Sequence, residues 1–171
     1  MSKSSNSQSI EQIKEKLVAK LFQDQTLMFR MFKRSLKVDE EDIIKLEITY
    51  FCLSMTSWVY LMLNNHDDSF NILYDSSLTV VSKSLPHSQS PDEIKRVVNV
   101  FEERFDEYFS AFEDTFVGEK IDQYKLEALM NKLFRRVVKS PTPRALLYLN
   151  VHAPLLYTFL QDNMDFVKTE L

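Results

Sequence analysis

The sequence predicts an all-α fold: a single-domain bundle of six or seven helices, with one or two central helices that are apolar on nearly every side. Three observations point there. Gly118 is the only glycine in 171 residues, and both tight hairpins and phosphate-cradling loops draw on glycine for positive φ. Apolar residues recur at three- and four-residue spacing along most of the chain, the period of an amphipathic helix. Between those stripes stand short polar or proline-containing segments of the kind that start and stop helices. With 44% hydrophobic and 27% charged residues the composition is that of an ordinary globular domain, long enough to bury a core without metal or disulfide.

The elements follow in order. Residues 1–9, rich in serine and asparagine, read as a disordered tail without a secretory signal, leaving residues 10–171 as one helical domain. Ile10, Ile13, Leu17 and Leu21 predict a first helix to about Phe22. Leu27, Met28, Met31, Phe32 and Leu36 extend the same register as a second helix or a bent continuation, with Arg30, Lys33, Arg34 and Lys37 on the remaining face. Asp39 and Asp42 supply a cap and an acidic first turn for a helix from about Glu40 to Asn64. Phe70, Leu73, Tyr74, Leu78 and Val81 form the stripe of a helix from Ser69 to Ser84.

The run Ser90, Pro91, Asp92, Glu93 is the sharpest local signature. It combines an N-cap serine, proline at the first helical position and a glutamate that completes a capping box. The helix it starts carries Phe101, Phe105, Tyr108, Phe109, Phe112 and Phe116, and Gly118 is placed as its C-cap. A helix from about Lys120 to Lys139 follows, with Leu126, Leu129, Met130, Leu133, Phe134 and Val137 on one side. Thr142 and Pro143 start the last helix, in which Pro154 predicts a kink or an interruption near Asn150 to Ala153.

Two segments lack a solvated face. Between Ile43 and Leu63 the strongly polar side chains are Lys45 and Glu47; between Ala145 and Leu160 they are Asn150, His152 and Thr158. A helix apolar all round is central in its domain, spans a membrane or forms a subunit interface. Hydroxyls in the first segment, and Asn, His and Pro in the second, argue against a span. A chain of this size has room for one or two enclosed helices, so a homodimer through the final helix or the Trp58 helix is expected.

The inventory of reactive groups is short. There is no Glu-x-x-His, Cys-x-x-Cys, His-Glu-x-x-His or Gly-x-Ser-x-Gly, and no glycine loop for phosphate. No cofactor, metal or catalytic set is expected. His66, Asp67 and Asp68 contain a metal-binding dipeptide but read as the cap of the following helix. Cys52, the single cysteine, lies among Tyr50, Phe51 and Leu53 and reads as a buried, reduced thiol, in keeping with a cytoplasmic protein. A net charge of −4 gives no electrostatic reason to bind nucleic acid. The acidic residues opposite the phenylalanine stripe, among them Glu102, Glu103, Asp106 and Glu107, argue against stacked bases and for an ordinary core stripe.

Glu47 and His152 each interrupt an apolar segment, and a buried ionisable group needs a partner. Glu47, Tyr50, Ser54, Tyr148 and His152 are therefore candidate lining of a polar pocket, with a satisfied core network as the plainer account. Arg135, Arg136, Lys139 and Arg144 form a candidate basic patch for an acidic partner, with a solvated helix end as the plainer account. The functional expectation is a cytosolic helical protein-interaction or regulatory module, self-associating or binding another protein. The alternative is a small-molecule-binding or catalytic bundle with a pocket around Glu47 and His152.

Overall fold

The computed structural model describes residues 10–35, 41–63, 70–84, 90–117, 120–138 and 143–170, and over 143–153 it describes the backbone alone. Among the described residues six helices form the bundle: α1 (Ile10–Ser35), α2 (Glu41–Leu63), α3 (Phe70–Ser84), α4 (Pro91–Thr115), α5 (Gln123–Val137) and α6 (Pro143–Glu170). A two-residue ladder joins α4 to α5, with β1 (Phe116–Val117) antiparallel to β2 (Lys120–Ile121).

One helix is central. α2 packs against each of the other five, and every residue from Ile48 to Leu61 is buried. By length and composition Ile44–Leu63 would suffice to cross a membrane, yet 78% of its most apolar stretch is buried inside the protein, as in the core helix of a globular domain. Its side chains meet the aromatic seam of α4. Phe51 lies edge-on to Tyr108 with ring centroids 5.1 Å apart, and Trp58 lies 4.3 Å from Phe116. Tyr50 meets Phe101 and Trp58 meets Phe112, so numbers rise together and α2 and α4 run parallel, with α3 as the return.

The Ser90 capping box is present in full. The Ser90 amide donates to Glu93 at 2.9 Å and the Glu93 amide donates to the Ser90 hydroxyl at 3.3 Å. The seam that follows, Val97, Phe101, Tyr108, Phe112 and Thr115, is buried, while Glu102, Glu103, Asp106, Glu113 and Asp114 on the other side are exposed. The phenylalanine stripe is thus core.

α1 is one helix, so that of the two alternatives at Leu27 the continuation holds, because Leu17, Leu21, Asp24, Met28 and Phe32 are all buried along a single seam. Three boundaries differ from the sequence reading. Gly118 is not the C-cap of α4: the helix ends at Thr115 and extended Phe116 is its cap, so that β1 begins at once. Gly118 itself lies outside the described residues. α5 starts at Gln123 and not Lys120, because the Asp122 carboxylate accepts from the amides of Tyr124 and Lys125 and caps it there. α6 is helical from Pro143 to Glu170 through Pro154, without the expected interruption. Pro154 is exposed; it removes one amide donor and leaves the rest of the ladder to carry the helix past it.

Candidate functional site

Glu47 is the polar interruption of α2, and it sits where α2, α4 and α5 meet. Its carboxylate accepts from the Tyr108 hydroxyl at 2.5 Å and lies 3.6 Å from both Arg104 Nε and Arg136 Nη1. Those two nitrogens are buried and make no hydrogen bond, so their attraction to Glu47 is that of an ion pair just beyond hydrogen-bond length. A second carboxylate completes the cluster. Glu107 takes Lys132 Nζ at 2.7 Å, accepts from Arg136 Nη2, and lies 3.5 Å from Arg104 Nη1. The Arg136 guanidinium also lies 5.6 Å from the centre of the Tyr108 ring, a cation-π distance.

Each ionisation state follows from these surroundings. Burial works against the Glu107 carboxylate, but Lys132 and Arg136 outweigh it and hold the group below its ordinary range. Burial, reinforced by the Glu47 charge, pushes the Tyr108 phenol far up. Burial pushes Tyr50 up to about 12, with Glu47 adding and Arg104 opposing. Both phenols therefore keep their protons at neutral pH, and fully buried Tyr108 has no face left for a substrate. The cluster ties three helices together through ion pairs, and Arg104 also takes the exposed Glu103 carboxylate at 2.7 Å, which balances its three cations with three acids.

The residues singled out in the sequence divide as follows. Tyr50 and Ser54 are buried beside the Glu47 face. The Tyr50 hydroxyl donates to the Val97 carbonyl at 3.5 Å, and the Ser54 hydroxyl lies 2.9 Å from the Tyr50 carbonyl and 3.3 Å from that of Phe105. The side chains of Tyr148 and His152 lie outside the description, as do Lys139, His66, Asp67, Asp68 and His87, and the side chain of Arg144. Arg136, read as part of a basic patch, turns inward to Glu47 and Glu107, whereas Arg135 is exposed. One pocket residue and one patch residue thus belong to the same cluster, although sequence spacing set them apart.

A second polar cluster had no counterpart in the sequence reading. Asp24 is fully buried in α1, where it accepts from Lys20 at 2.7 Å and from the Asn163 amide of α6 at 2.9 Å. Thr56 of α2 donates to Asn163 at 2.7 Å, and Lys20 also reaches the exposed Asp162 at 2.6 Å. Burial pushes Asp24 above its ordinary value despite Lys20, while Lys20, which burial alone would lower, is raised by its two carboxylates. The two directions agree with the geometry, since Lys20 has two anionic partners and Asp24 one cationic one. Neither Lys20 nor Asp24 belongs to an apolar stripe by residue type, and their partners lie elsewhere in the chain. The one available signal was their position in the seam of Leu17, Leu21, Met28 and Phe32.

Cys52 is buried, its thiol donates to Met28 Sδ at 3.6 Å, and burial raises it well above its ordinary value, so it is an inert core group. Among the described residues no three His, Cys, Asp or Glu side chains are grouped to hold a metal. An open depression of about 370 Å³ lies between the hairpin and α6, lined by Phe116, Lys120, Ile121, Gln123, Tyr157, Gln161 and Met164. Of its lining residues Tyr157 is 42% exposed; Tyr124, next in sequence to Gln123, is 85% exposed, and Leu155, on the same turn of α6 as Tyr157, 37%. No family model, curated protein or solved structure matches the chain.

Proposed function

We propose that the protein is a cytosolic helical interaction module that self-associates through the outer face of α6. The observation that carries this reading is the contrast between the two apolar segments. α2 is covered on all sides by the chain's own helices, with Ile48 to Leu61 buried, so it has no surface left for a partner. α6, equally poor in charge over Ala145 to Leu160, exposes Pro154, Leu155, Tyr157 and Thr158 and buries only Leu156 in that turn. With Tyr124 and the neighbouring depression, this makes a tyrosine-rich, nearly uncharged strip in which Lys120 is the one charged lining residue of the hollow. Interface centres are enriched in aromatic residues and depleted of charge. The Glu47 and Lys20 clusters are ion-paired contacts between helices, and they support the reading by leaving the surface as the place where function resides.

Light scattering at micromolar concentration tests it. The expected mass is twice the 20.2 kDa of the chain, and Tyr157→Glu is expected to return the protein to a monomer with unchanged helical circular dichroism. A monomeric wild type under those conditions would sink the proposal.

A further inference from the structure

We infer that the chain of hydrogen bonds from Asp24 through Asn163 to Thr56 is a register device: it fixes the rotation and the axial seating of α6 against α1 and α2. α6 buries Leu156, Leu160, Asn163 and Val167, all at most 4% exposed. That four-three-four spacing is the apolar seam of a packed helix, with one polar member. α1 buries Leu17, Leu21, Asp24, Met28 and Phe32, again with a single acidic member in the same line. α2, buried all round from Ile48 to Leu61, offers an apolar neighbour only a few small hydroxyls, and Thr56 is the one that meets α6 in this chain.

Apolar surfaces of this kind tolerate more than one seating, because dispersion and area burial are non-directional. The polar members remove that freedom. Every hydrogen-bonding atom of the Asn163 amide is used: its nitrogen donates to Asp24 and to the Phe159 carbonyl at 3.0 Å, and its oxygen accepts from Thr56. Sliding α6 by one turn, about 5.4 Å, would carry the amide away from Asp24 and Thr56, leaving the buried Asn163 oxygen and Thr56 hydroxyl without each other and Asp24 with Lys20 alone. Rotating it by one residue would bring Asp162 or Met164 to the place of Asn163 and break the contact of Lys20 with Asp162. Lys20, itself 4% exposed, neutralises Asp24 and follows the chain outward to solvent. A lone polar residue in a helix seam is the best attested way in which buried polarity specifies register. The seating also decides which residues α6 turns outward, Leu155 and Tyr157 among them. The inference itself concerns packing within one chain and does not depend on self-association.

The test replaces the whole cluster by apolar side chains of similar size, K20M with D24L, T56V and N163L. It is run at a dilution where light scattering shows one species, so that mixed oligomers are not read as mixed packing. The expected variant keeps its helical circular dichroism and an unfolding midpoint no lower than wild type, while the amide resonances of residues 154–170 broaden or double in the 15N-correlated NMR spectrum. One sharp resonance per residue at wild-type shifts would overturn the inference, since register would then survive without the cluster. A lowered midpoint or loss of helix would also overturn it, by showing that the cluster supplies stability and not specificity.

Discussion

Glu47 and Asp24 show two ways in which a carboxylate is kept in a core. Glu47 is 13% exposed and shared between two guanidiniums and a phenol, whereas Asp24 is sealed and depends on one lysine and one amide. Glu47→Gln keeps an acceptor for Tyr108 but removes the charge between Arg104 and Arg136, and is expected to cost about 2 kcal/mol in urea unfolding. A loss of only a few tenths would show that Glu107 satisfies both arginines unaided. In the second cluster the two halves are not equivalent. Lys20→Met strands the Asp24 carboxylate in the core, an expected loss of about 3–5 kcal/mol. Asp24→Asn leaves Lys20 paired with Asp162 and is expected to cost clearly less in the same assay. Equal losses would contradict that asymmetry.

Among the elements, α4 was the most legible, because its start is written in consecutive residues. Ser90, Pro91 and Glu93 are local chemistry, and local chemistry does not wait for tertiary contacts. Ser90→Ala is expected to cost about 1 kcal/mol and to speed hydrogen exchange of the first-turn amides of α4, leaving those of α5 unchanged. α1 was harder to read. Its seam passes through Asp24, and a seam with an acid in it looks like the end of a stripe unless the amide that satisfies the acid, on α6, is known. The continuity of α6 through Pro154 has the same origin. A proline removes one hydrogen bond locally, and whether the helix survives is decided by the packing of Leu156, Leu160 and Val167 beyond it.

For the whole molecule, the shifted groups set the pH range of stability. Glu107 is held below its ordinary 4.5, so its contribution is present above that value and lost as pH falls through the lower folded value. Lys20 is raised above 10.5, so its contribution is present below that value and lost as pH rises through the folded one. Tyr50, raised from 10.0 to about 12, adds to the alkaline loss because its ionised form is disfavoured in the fold. Asp24 has the opposite sign on the acid side. Being raised above 3.8, it favours the folded state most when protonated and loses that advantage as pH rises. The thermal midpoint is therefore expected to be level near neutrality and to fall both in acid, below 4.5, and in alkali, beyond 10.0. Glu107→Gln should flatten the acid limb and Asp24→Asn steepen it; no change of slope in either variant would place the acid sensitivity elsewhere.

The sequence by itself determined the all-α class, the six or seven helical stripes, the capped start of α4 and the two segments without a solvated face, because periodicity, capping and composition act within one or two turns of chain. Glu47 was visible for the same reason, as a charge where an apolar helix has none. Its partners were not: Tyr108, Arg104 and Arg136 lie on other helices, and the acceptor of a buried charge is set by which faces meet and not by neighbours in sequence. The pairing of Lys20, Asp24, Thr56 and Asn163 lay beyond sequence reading, since only the seam position of Lys20 and Asp24 is written in the chain and their partners lie on other helices. Only the tertiary structure decided that α2 alone is central and that α6, no less apolar, turns Leu155 and Tyr157 to solvent, because enclosure belongs to the number of helices around a segment and not to the segment itself.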